Sequence, residues 1–331
     1  MNGRLEHQIK TETALKQKVM HSPEYMKRYL MSLSTKTHAT KMRYYTNVER
    51  FLKHVYGSFP SINEIKAIDS YEIQKYMSEI NYYGEEEIKE LKESTQCNVY
   101  SSLANFFRFL KINKYIDENP FVDGLIERPK IQENDVVFLT PDEVKRVETE
   151  ILNGVGNHLS KSKQEDWKYR DLLLFRIPVI NGLRVTALSE INMQDIDFER
   201  RKIKVTEKGN ITKYVDFDFK TLQYLNVWYN QRKLLLCGKE CDALFISNRR
   251  SRMTVRAIEN IIAKYTECIE GKHITPHKLR ATCGTNTYQA TKDIYLVSKV
   301  LGHKNTSPTK RYAAVFNEDI TNAVNAVADL Y

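Results

Sequence analysis

Between Asn119-Pro120 and Thr140-Pro141 the chain loses every periodic signal, and this break forces it to be read as two separately folded parts. Proline disfavours helix at the residue before it, and residues 121–139, through Pro129 and the polar run Gln132–Asp135, read as an extended linker. On the N-terminal side apolar residues recur at three- and four-residue steps, the helical period. Met42, Tyr45, Val48, Phe51, Leu52 and Val55 make such a stripe in Thr35–Tyr56, and Val99, Leu103, Phe106, Phe107 and Leu110 make another in Ser94–Lys111. Ser94 or Thr95 is the expected cap of that second helix, and Ser70–Glu79 fits a further one. On the C-terminal side Thr140-Pro141-Asp142-Glu143 starts a helix with a capping box and proline at its first position. Asp171–Ile180 is strongly apolar and helical. Lys202–Val205 and Lys213–Phe217 alternate around Lys208-Gly209-Asn210, which signals a β-hairpin. Arg256–Ile269, Leu279–Ala290 and Asp319–Leu330 read as helices. The expected fold is therefore mainly α with a small β-sheet in the second domain, an α+β arrangement. Residues 1–25 form an N-terminal extension, 26–120 a helical domain, 121–139 the linker, 140–315 the mixed domain and 316–331 a C-terminal helix.

The length of 331 residues agrees with about two domains. A formal net charge of +9 and a pI of about 9.1 favour a polyanionic partner. The excess is spread over both halves rather than gathered in a tail. The helical stretch at 35–56 holds Lys36, Lys41, Arg43, Arg50 and Lys53 against Glu49 alone, so one face is basic while the other is core. No stretch approaches the roughly 18 apolar residues of a membrane span, and the polar start lacks the apolar run of a signal peptide. A cytoplasmic protein without a membrane partner is expected. Five cysteines in a chain this long make no disulfide framework. Cys237 and Cys241 are four apart, but a zinc site needs three or four ligands, and buried free thiols are the expectation.

Chemistry-bearing side chains gather where the periodic segments end. Gly182-Leu183-Arg184 closes the apolar helix, Lys208 sits at the hairpin tip, and His277-Lys278-Leu279-Arg280 opens a helix after Pro276. Leu301-Gly302-His303 follows the apolar pair Val297 and Val300, and Tyr312 lies nine residues further on. Each alone has a bland reading: a helix-end charge, a solvated turn lysine, a structural histidine, one of 20 tyrosines. Their joint order and spacing does not.

That order resembles the catalytic domain of the tyrosine recombinases, the phage-integrase and Xer-type family. Gly-Leu-Arg184 resembles its first box, Lys208 in Thr-Glu-Lys-Gly-Asn its hairpin lysine, His277-Lys-Leu-Arg280 its second box, and Leu-Gly-His303 with Tyr312 its last. Ser-Leu-Ala-Asn-Phe-Phe-Arg-Phe-Leu followed by Asn119-Pro120 is similar to the end of the family's helical core-binding domain. The resemblance covers about residues 35–331. It departs in two places: Ala187 stands where the family usually has an acidic residue three positions after the first arginine, and Ala281 where a histidine is frequent. Glu190 is the sequence candidate to replace the missing acid.

The resemblance implies an enzyme that breaks and rejoins DNA through a 3′-phosphotyrosine link at Tyr312. The residue types suit that chemistry. A phosphodiester gains charge on its non-bridging oxygens during attack, and planar guanidiniums hold those oxygens better than ammonium groups do. Arg184 and Arg280 are assigned that task, with His303 as a further donor. A phenol ionises only near about pH 10 and needs a base, for which His277 is the candidate. Lys208 is the candidate acid for the leaving 5′-oxygen. The phosphoester is exchanged rather than hydrolysed, so no cofactor is expected, and the set holds no carboxylate cluster that would call for a catalytic metal. Lys36, Lys41, Arg43, Arg50 and Arg108 are candidate DNA contacts.

The leading expectation is a site-specific recombinase or integrase of a mobile element, in a bacterial cytoplasm and associated with the nucleoid. It would act on double-stranded recombination sites as a tetramer, with a directionality factor as a possible partner. A chromosome-dimer resolvase, a type IB topoisomerase and a non-catalytic DNA-binding protein are the alternatives. The stripe Phe316, Ile320, Val324, Val327 and Tyr331 makes 316–331 amphipathic. The resemblance implies that this helix is exchanged between protomers; packing on its own domain is the competing outcome.

Overall fold

A computed structural model describes residues 3–80, 91–122, 124–130, 135–207, 211–302, 309 and 312. Two compact units divide the chain, Met1–Asn134 and Asp135–Tyr331.

The first unit is helical: α1 (Gly3–Met20), α2 (Glu24–Ser32), α3 (His38–Tyr56), α4 (Ile62–Lys66), α5 (Ser70–Glu79) and α6 (Glu93–Ile112). Its core is the meeting of the two stripes seen in the sequence. Tyr45, Val48, Phe51 and Leu52 of α3 are buried with Leu103, Phe106, Phe107 and Leu110 of α6. Tyr29 of α2 meets Phe106 edge-on at 5.1 Å and donates to Asn105 Oδ1 at 3.0 Å, so its hydroxyl is satisfied inside the core. Two local expectations are corrected. Helix α6 starts at Glu93 with Lys92 in the cap position and no side-chain cap, so neither Ser94 nor Thr95 caps it. Helix α3 starts at His38, capped by Thr37, which leaves Lys36 in the turn before it.

The second unit comprises α7 (Pro141–Asn153), α8 (His158–Glu165), α9 (Lys168–Asn181), α10 (Val185–Glu190), β1 (Ile196–Asp197), β2 (Lys202–Glu207), β3 (Ile211–Asp216), α11 (Phe219–Leu236), α12 (Val255–Thr266), α13 (Pro276–Thr291) and α14 (Ile294–Leu301). The capping box at Thr140 forms as expected: Glu143 N–H donates to Thr140 Oγ1, and Glu143 Oε2 accepts from the Thr140 N–H at 2.7 Å. Helix α9 is buried along Leu172–Phe175, Ile177 and Val179, and α7, α11 and α13 pack around it. The three strands form one antiparallel sheet in the order β1-β2-β3. Ile203 pairs with Val215, Val205 with Lys213 and Glu207 with Ile211. Side chains alternate across a strand, so Ile203, Val205 and Glu207 share the buried face of β2. Lys213 lies on the same face of β3, diagonal to Glu207. The helix expected at Asp319–Leu330 lies outside the described residues.

Among the described residues no helix is long and apolar enough to cross a membrane. The thiols only partly match expectation. Cys97 and Cys283 are buried, Cys241 and Cys268 half-buried, and Cys237 is exposed at the C-cap of α11.

Candidate active site

The site is assembled from loop ends. Helix α9 stops at Gly182, whose φ of +61° is the left-handed conformation that glycine adopts without strain. A Cβ there would stand 2.5 Å from Leu301 Cδ2, so only glycine lets α14 approach this turn. Two residues later Arg184 takes the cap position of α10, with its side chain about 40% exposed. Arg280, on α13, is about 2% exposed. Its Nη1 donates to the Gly182 carbonyl and its Nη2 to the Leu301 carbonyl. The α9–α10 turn is thereby tied to α13, and the two arginines become neighbours. Burial first, and then the positive charge of Arg184, pull Arg280 below the ordinary guanidinium value; Glu207 and Tyr312 act in the opposite direction. Among the described residues no carboxylate lies within ion-pair distance of Arg280.

Tyr312 is fully buried. Its ring belongs to a small apolar cluster with Ala281, Cys283, Val297 and Leu301. It lies flush against α13: a Cβ added to Gly284 would be 2.9 Å from Tyr312 Cε2. Gly284 follows Arg280 by four residues, one helical turn, so the Tyr312 ring rests on α13 one turn beyond the residue that bears the guanidinium. Burial pushes the neighbouring Cys283 thiol up to about 11.

The acid beside Arg184 is Glu207, a residue outside the sequence candidates. Arg184 Nη1 donates to Glu207 Oε2, and Lys213 Nζ stands 2.9 Å from Glu207 Oε1. Glu207, about 8% exposed, is thus a buried carboxylate between two cations. Position 187 and Glu190, where the sequence suggests the acid, lie on α10, the helix that Arg184 caps, whereas Glu207 ends strand β2. The signal was present in the alternation Ile203, Val205, Glu207, which puts an acid on the core face, where it must find a cation.

The structure thus brings Arg184, Arg280 and Tyr312 together. His277 is the second residue of α13, exposed, three positions before Arg280. Lys208 and His303 lie outside the described residues; they directly follow Glu207 and Gly302 in the chain. On the helical unit Lys36, Arg43, Arg50 and Arg108 are exposed and Lys41 is half-buried. Among the described residues no group of three or more His, Cys, Asp or Glu side chains is placed to hold a metal.

Residues 138–319, more than half of the chain, match the phage integrase family. The chain belongs to that family. It is 28% identical over 270 residues to tyrosine recombinase XerC of Bacillus subtilis (strain 168), covering 80% of this chain and 84% of that one. It is 27% identical over 299 residues to a tyrosine recombinase of Pseudothermotoga lettingae, covering 90% and 94%. Two solved structures share the fold. XerH site-specific recombinase bound to a palindromic difH substrate superposes with a TM-score of 0.68 at 18% identity, over 95% of this chain and 88% of that one. A lambda integrase dimer bound to a COC′ core site gives 0.64 at 17%, over 87% and 93%. The chain is accordingly a tyrosine recombinase, an enzyme of site-specific recombination that cleaves and rejoins DNA.

Proposed function

We propose that this recombinase holds the scissile phosphate between Arg184 and Arg280 and attacks it with Tyr312. The observation that carries the reading is the buried Arg280 beside Arg184 and Tyr312, with no carboxylate within ion-pair distance of it among the described residues. Among the described residues this desolvated guanidinium is held by two backbone carbonyls and no carboxylate pairs with it directly, and an anion is the partner such a charge calls for. In that arrangement His277 accepts the phenol proton, His303 donates to a non-bridging oxygen, and Lys208 protonates the departing 5′-oxygen. The 3′-phosphotyrosine link conserves the phosphoester, and attack by a second 5′-hydroxyl rejoins the strand on a new partner.

The reading extends to the organisation of the enzyme. Residues 26–120 act as the core-binding domain, joined by the linker 121–139 to the catalytic domain 140–315, and the helix 316–331 is exchanged between protomers of a tetramer on two double-stranded recombination sites. The host role is recombination of a mobile element in the bacterial cytoplasm at the nucleoid, under a directionality factor. Sequencing the junctions formed in cells expressing the protein separates this role from dimer resolution.

The catalytic assignment is tested with a nicked suicide duplex and a denaturing gel. The native chain traps a covalent complex and Tyr312→Phe traps none. A covalent complex formed by Tyr312→Phe makes another tyrosine the nucleophile.

A further inference from the structure

The pair Glu207–Lys213 is unexplained by the reaction itself, and its place beside Arg184 gives it a task. We infer that Glu207, on strand β2, is the positioning residue that fixes the guanidinium of Arg184. The inference rests on the reading that Arg184 holds the phosphate.

Three observations support it. First, Arg184 is the more exposed arginine of the site, whereas Arg280 is buried and held by two backbone carbonyls. A long, half-solvated side chain needs an anchor to present its planar face in one orientation. The Nη1 donor to Glu207 Oε2 supplies one and leaves the remaining N–H groups for a ligand. Second, Glu207 is itself fixed. It stands on the inward face of a paired strand, its other oxygen lies 2.9 Å from Lys213 Nζ, and the backbone of Gly302 closes over both. A Cβ on Gly302 would be 3.1 Å from Lys213 Nζ and 3.7 Å from each Glu207 oxygen. An anchor needs this rigidity, and a solvated carboxylate would not provide it. Third, position 187 holds an alanine that is buried, so the first turn of α10 offers no carboxylate there. Lys213 completes the device: it stands on the other oxygen of the carboxylate, so that one acid faces two cations and the site keeps a net positive charge for a phosphate.

The experiment is single-turnover cleavage of the suicide duplex at saturating protein, with duplex binding by gel shift and folding by thermal melting measured on the same samples. Glu207→Gln keeps the shape and removes the charge. Its expected cleavage is about 10- to 100-fold slower, the usual cost of losing a supporting partner, with binding within a few-fold. Glu207→Asp recovers part of the rate. The decisive arm is the pair of Arg184→Ala and Arg184→Ala/Glu207→Gln. If Glu207 acts through Arg184, the double variant is no slower than Arg184→Ala alone. Equal slowing by Glu207→Gln in both backgrounds overturns the inference and makes Glu207 a structural residue. Unchanged cleavage by Glu207→Gln, with Arg184→Ala inactive, also overturns it while leaving Arg184's assignment intact. Full activity of Arg184→Ala instead sinks the underlying reading of the phosphate site.

Discussion

At the scale of single residues the site is built on absences as much as on side chains. Gly284 has no Cβ, and Tyr312 occupies the space where one would be. Gly284→Ala should therefore overpack this contact and cost about 1–3 kcal/mol, read as a lower urea midpoint at constant slope. In a Tyr312→Ala background the space is free, and the same substitution should cost less, because residues in contact are not additive. An identical cost in both backgrounds would mean that the ring does not rest on α13 in solution. Arg184, Arg280 and Tyr312 could be picked out from the sequence because each lies in a short run with a characteristic spacing. Glu207 could not be picked out that way, since its partner Arg184 is 23 residues away and only the fold of the hairpin brings the two together.

At the scale of elements, helix α7 shows how one cap ties distant parts of the second unit. Glu143 closes the capping box on Thr140 and also receives Lys272 Nζ at 2.7 Å, a residue from the segment leading into α13. Burial works to raise the Glu143 carboxyl, but the Lys272 ammonium and the Thr140 N–H outweigh it and hold it below the ordinary carboxylate value. A depressed folded value means stability that is present above the unfolded pKa, about 4.3, and lost as pH falls through the folded one. Glu143→Gln should thus flatten the acid side of a stability-against-pH curve from urea titrations while costing on the order of 1 kcal/mol at neutral pH. An acid limb as steep as in the native chain would remove Glu143 from its causes. This cap was legible in four consecutive residues, because capping is local chemistry. The start of α6 was not legible: Ser94 and Thr95 have the right side chains, yet the helix runs on to Glu93 and leaves them inside it. The stripes of α3 and α6 were readable because each faces a core of its own unit, and the hairpin because its alternation matches the pleat.

At the scale of the whole molecule the chain is two units with a polar join, and the basic surface of the helical unit is the proposed second hold on DNA. Arg43 and Arg50 are seven residues apart on α3, two turns, and both are exposed. If each neutralises one phosphate, Arg43→Ala and Arg50→Ala should weaken binding of all duplexes alike and each lower the slope of log affinity against log salt by about 1. Unchanged slopes would place the DNA on another face of the unit. The arginine of the second unit leads elsewhere. Arg280 takes its two carbonyls from Gly182, at the end of α9, and Leu301, the last residue of α14. Helix C-termini carry partial negative charge, so two dipoles converge on this guanidinium before any DNA arrives. The same cation is thus a rivet between three helices, and an Arg280→Ala protein should lose heat resistance together with cleavage.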